Sequence, residues 1–137
     1  VSSYAKEIPV PLATIAKEME LHDVPVTVLP SYLPDGYVET DFQYTETADS
    51  IDFYYFLEKG ESSITLFYSA FFDGQAHSRF EKDTTNPEQY EYNGIVFYIM
   101  TNRGVYFVAW TADDIECSIA GVETRDEVIK IIQSIGE

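Results

Sequence analysis

Between positions 37 and 120 apolar and polar residues alternate with a period of two, which predicts strands at 37–45, 51–58, 63–72, 95–100, 105–111 and 115–120, with a short one at 89–92. Lys59-Gly60-Glu61, Thr101-Asn102-Arg103-Gly104 and the stretch from Thr111 to Asp114 are short enough to close antiparallel hairpins, and the short strand enters an Asn93-Gly94 turn. Neighbouring strands are therefore expected to pair in chain order, as one strongly curved antiparallel meander of six to seven strands.

The pattern changes at both ends. Leu12, Ile15, Ala16 and Met19 recur at spacings of three and four, predicting a helix that Pro9 and Pro11 precede and Pro25 bounds. Near the C-terminus Thr124 precedes Glu127 by three positions, the spacing of a capping box in which hydroxyl and carboxylate each satisfy an orphan backbone N–H. Val128, Ile131, Ile132 and Ile135 follow as one apolar stripe, with Gly136 placed to end the helix. Such a stripe has to pack on the sheet. The expected fold class is α+β: a single domain over 1–137, with a helical and extended lead-in at 1–36, the sheet at 37–120 and a helix at 124–135 packed with the first on one sheet face.

The strands are apolar on both sides. In β-phase, Ile51, Phe53, Tyr55 and Leu57 oppose Asp52, Tyr54 and Phe56; Ile64, Leu66 and Tyr68 oppose Phe67 and Phe71; Val105, Phe107 and Ala109 oppose Tyr106, Val108 and Trp110. A half-solvated sheet would carry a more polar outer face. Tyr54, Phe56, Tyr106 and Trp110 are accordingly candidate contacts on a face that meets a protein segment or an apolar ligand, since aromatic rings combine large contact area with a polar edge. The competing reading makes the same rings ordinary core and cross-strand pairs.

Composition narrows the partners. The 24 acidic and 8 basic residues give a net charge of −16, which repels phosphate backbones and anionic headgroups and argues against nucleic acid. Cys117 is the sole cysteine, so there is no internal disulfide framework, and a buried small side chain is its expected role. No stretch is long and apolar enough for a membrane helix, and a start at Val1 leaves room for a removed signal peptide, lipid anchor or membrane helix. A monomer or weak dimer is expected.

Catalytic chemistry finds little support. There is no nucleophile elbow, no phosphate-binding glycine loop and no cysteine with a recognisable base. Asp73, His77 and Glu81 are spaced for one helix face and could ligate a metal, but Gly74 and the turn-rich setting favour a solvated loop. Pairs such as Glu39 with Asp41, or Asp113 with Asp114, suit acid–base work only if they converge, and solvated faces explain them better. The expectation is a non-enzyme with no cofactor, no metal and no catalytic residues.

Pro30-Ser31-Tyr32-Leu33-Pro34-Asp35-Gly36-Tyr37, the Tyr92-Asn93-Gly94 turn, and Trp110 followed by Cys117-Ser118-Ile119-Ala120-Gly121 and the Thr124 to Glu127 helix start form a set. Together they resemble the domain-of-unknown-function 4367 family. The resemblance implies an extracytoplasmic bacterial domain associated with the cell envelope, often behind a transmembrane helix and sometimes joined to an anti-sigma segment, or tethered as a lipoprotein. It brings no catalytic residues. It supports a binding or sensory module recognising a protein segment or apolar ligand. The sheet-and-helix plan is also similar to lipid-carrier half-barrels that bind acyl chains, and a hydrolase using acidic residues is a third alternative.

Overall fold

The computed structural model describes residues 8–72, 87–112 and 114–135. Its first helix, α1 (Ala13–Leu21), follows a short 3₁₀ turn and buries Ile15, Ala16 and Met19. Asp23 closes it in the left-handed region at φ 61°, which lets the Val24 N–H reach the Met19 carbonyl at 2.8 Å.

Seven strands follow: β1 (Val38–Glu46), β2 (Ser50–Lys59), β3 (Ser62–Phe71), β4 (Glu88–Tyr92), β5 (Ile95–Asn102), β6 (Val105–Ala112) and β7 (Ile115–Val122). They form one antiparallel sheet in the order β1-β2-β3-β7-β6-β5-β4. Chain-order pairing therefore holds everywhere except after β3, whose second neighbour is β7 rather than β4. Two meanders, β1-β2-β3 and β4-β5-β6-β7, meet along that seam. The burial of each strand explains the choice. β7 carries Ile115, Cys117, Ile119 and Val122, all buried, and belongs in the middle; β4 offers Glu88, Gln89 and Glu91 to solvent, as suits an edge.

One sheet face is covered by both helices. Leu12, Ile15 and Met19 from the N-terminal side, and Val128, Ile131 and Ile132 from α2 (Arg125–Gln133), share one core with Phe53, Tyr68 and Trp110. Burying each aliphatic side chain of this size is worth about 2 kcal/mol. The Tyr55 hydroxyl donates to the Pro11 carbonyl and, at 3.2 Å, to Glu39 Oε1, which also accepts from Thr14 Oγ1 at 2.9 Å. Glu39 reaches this side because Thr40 is an extra residue in β1: the register passes from Glu39 opposite Leu57 to Asp41 opposite Phe56.

Thr124 caps α2 as predicted, its Oγ1 accepting from the Glu127 N–H at 3.2 Å. The second half of the expected box is replaced. The Glu127 carboxylate instead accepts from the Tyr32 hydroxyl at 2.5 Å, fastening the segment before β1 to the helix. Ser134 Oγ adds to this seam by accepting from the Ser31 and Tyr32 N–H groups. Gly136, the predicted helix stop, lies outside the described residues. Among the described residues no helix is long and apolar enough to cross a membrane.

Candidate functional site

The face opposite the helices is organised in cross-strand rows. Tyr54, Phe67, Ser118, Ala109 and Tyr98 stand in one row across five strands, each opposite the next. Adjacent to it run Phe56, Thr65, Ala120, Phe107 and Met100. Large rings therefore flank a strip of small side chains: Ala109 and Ser118 in the first row, Ala120 and Thr65 in the second. The result is a trough that crosses β6, β7 and β3 obliquely. Phe67 and Tyr98 are three strand spacings apart, about 14 Å between their backbones. Tyr54 packs on Phe67 with ring centroids 5.0 Å apart, making one wall continuous. All the wall rings are partly exposed.

A third row, Thr45, Asp52, Ser69, Glu116 and Thr111, is polar. Ser69 Oγ donates to Asp52 Oδ1 at 2.5 Å, and Ser50 Oγ donates to the same oxygen at 3.2 Å. Ser69 and Glu116 are fully buried, and Ala109 and Ser118 in the first aromatic row are buried as well, so on this face it is the flanking rings, not the small side chains between them, that stay partly exposed.

The structure does not bring the four sequence-predicted rings together. Tyr54 and Phe56 line the trough. Trp110 is only 2 % exposed and sits on the opposite, helix-covered face, 5.1 Å from the Phe97 ring and edge-on to Tyr68. Tyr106 is on that side as well, opposite Val122 and packed against the core. Alternation had grouped Tyr106, Val108 and Trp110 correctly but assigned them to the wrong face. The turn between β6 and β7 was legible, but its register was not: pairing Ala112 with Ile115 places Trp110 opposite Cys117, in the buried row of β7, and Ala109 opposite Ser118. Phe67, Tyr98, Met100 and Phe107 take the places that Tyr106 and Trp110 were expected to fill.

Other candidates separate rather than converge. The bulge at Thr40 sends Glu39 to the helix side and leaves Asp41 on the trough side, where its carboxylate accepts from the Phe42 N–H and the Gln43 amide. His22 lies 3.9 Å from Glu18 and packs on Tyr44. Asp73, His77, Glu81 and Asp113 lie outside the described residues. Cys117 is buried, as expected. A separate cleft of about 290 Å³ opens at the end of the sheet between His22, Pro25, Phe72 and Asp114.

Shifted titrations belong to the helix-covered side. Hydrogen bonding to Glu127, with burial adding to it, pushes the Tyr32 phenol up to about 12. Burial, then the Glu39 charge, raises Tyr55, and burial raises Tyr68. These phenols are held protonated as structural donors.

The fold and site thus define an α+β domain whose antiparallel sheet is packed by helices on one face and presents an aromatic trough on the other. The family model described as "Domain of unknown function (DUF4367)" matches residues 27–135, from the turn before β1 through α2, and the chain belongs to this family. A search of curated proteins found no match.

Proposed function

We propose that this domain is a non-enzymatic binding or sensory module of a bacterial envelope protein, acting outside the cytoplasmic membrane, and that the trough is its recognition surface. The observation that carries the reading is the row Tyr54, Phe67, Ser118, Ala109, Tyr98, in which three large rings stay partly exposed on either side of two buried small residues. A sheet face built only to be wetted would alternate apolar-in with polar-out. Rings left partly exposed on a sheet face offer contact area at low cost in side-chain entropy. The envelope location rests on the family resemblance in the Pro30 to Tyr37 and Trp110 to Glu127 segments. Acyl-chain binding is the alternative use of such a surface, and the acidic surroundings disfavour its anionic head group.

Nile red, a neutral apolar dye, tests the surface without prejudging the partner. The reading expects its fluorescence to rise with the native protein and to fall back with Phe67→Ser and Tyr98→Ser, while circular dichroism shows the fold retained. Dye binding that ignores both substitutions, or no binding at all, contradicts it.

A further inference from the structure

β1 is the last strand on its side of the sheet and pairs only with β2. In an antiparallel ladder a residue sends its N–H and C=O to the same side, and successive residues alternate. The Thr47 N–H reaches the Ser50 carbonyl at 2.8 Å, so Thr45 and Gln43 also face β2, while Phe42, Tyr44 and Glu46 turn theirs outward. From Asp41 to Glu46 the register with β2 is unbroken, about the length of an ordinary strand. Natural edges are blunted by lysine, proline, a bulge or a cover. This stretch contains neither lysine nor proline, and the Thr40 bulge precedes it. At the opposite edge side chains of α2 reach β4: Arg125 pairs with Glu88, and the Gln133 amide donates to the Tyr90 hydroxyl at 3.0 Å. On β1 the guard is Asp41, whose Oδ1 accepts from the outward Phe42 N–H at 2.9 Å.

We infer that the Asp41–Glu46 edge is a docking strand for an extended segment of a partner protein in which apolar and basic residues alternate, a surface separate from the ring-bearing face. The two sides of β1 set that alternation. Phe42 and Tyr44 stand on the helix-covered side, opposite Tyr55 and Phe53, and the Tyr44 ring is nearly half exposed. An added strand would cover them with its own apolar residues and extend the core by one row. Asp41 stands on the other side, with Asp52 one strand further in, and neither 41–46 nor the β2 residues opposite include a base. A lysine or arginine arriving there finds counter-charge, and by drawing the Asp41 carboxylate to itself it releases the Phe42 N–H to a carbonyl of the incoming strand. A glutamate arriving there meets Asp41 and leaves the cap closed. A second copy of this chain fits poorly, since it brings Glu39, Asp41 and Glu46 against the same three carboxylates.

Amide hydrogen exchange followed by NMR tests this with a peptide of alternating valine and lysine and its valine–glutamate counterpart. The Tyr44 and Glu46 amides should exchange freely in the protein alone and slow by about tenfold or more with the lysine peptide, and not with the glutamate one. Asp41→Asn keeps an acceptor for the Phe42 N–H but removes the charge, and it should weaken the lysine peptide about fivefold. Glu91→Gln, on β4 at the far edge, should leave that affinity unchanged. Binding without protection of Tyr44 and Glu46, equal binding of the glutamate peptide, or equal weakening by the two variants overturns the inference. So does slow exchange of these amides in the protein alone: at every concentration it would mean that the chain covers its own edge, and only at high concentration that a second copy does.

Discussion

A Cβ on Gly121 would lie 2.1 Å from the Ser63 carbonyl oxygen, so β3 and β7 approach each other at a point where only glycine fits. Gly121 is also the extra residue that lets Ala120 face Phe107 while Val122 faces Tyr106. That shift keeps Ile119 and Val122 on the core side although they are an odd number of residues apart.

Gly121→Ala should therefore destabilise the fold by about 3 kcal/mol, combining a backbone clash with a positive φ that alanine resists. Urea unfolding checks this. A loss under about 0.5 kcal/mol would mean that the seam relaxes easily.

Trp110 is the sole tryptophan and serves as a built-in reporter of which face is core. Its emission should be blue-shifted and resist iodide quenching, and a ligand that fills the trough should leave it nearly unchanged. Trp110→Ala should cost about 3–5 kcal/mol through the cavity left between Phe97 and Tyr68. A red-shifted, freely quenched spectrum would contradict this placement.

The seam between the segment before β1 and α2 makes stability fall at high pH. The Tyr32 phenol is raised from 10.0 to about 12 in the fold. Its contribution is thus complete below pH 10 and is lost as pH rises towards about 12. In thermal melts across that window Tyr32→Phe should show a shallower alkaline decline than the parent chain. Identical slopes would remove Tyr32 as a contributor.

Thr124→Ala should cost about 1 kcal/mol, the worth of one N-cap hydrogen bond. Glu127→Ala should act through a different contact, releasing Tyr32, and its effect should shrink in the Tyr32→Phe background. Full additivity in that double-mutant cycle would deny the coupling.

Much of this fold was legible because its signals are local. Alternation located the strands to within a residue or two, and the Thr124 cap and its apolar stripe located α2. The strand order after β3 was not local, since nothing in β3 names β7 as its neighbour. Of the four rings expected on one face, the sequence placed two. Tyr54 and Phe56 belong to it, whereas Trp110 and Tyr106 needed the Cys117 register to be assigned to the core. The partner that Glu127 chooses, Tyr32, was hidden for the same reason: it is 95 positions away.

The central claim is that the rings of the second face are left available by the domain's own packing. Hydroxyl-radical footprinting read by mass spectrometry measures that availability ring by ring. The account predicts oxidation of Tyr54, Phe67 and Tyr98 well above that of Phe53, Tyr68 and the intrinsically reactive Trp110. Equal protection of the two sets would contradict it.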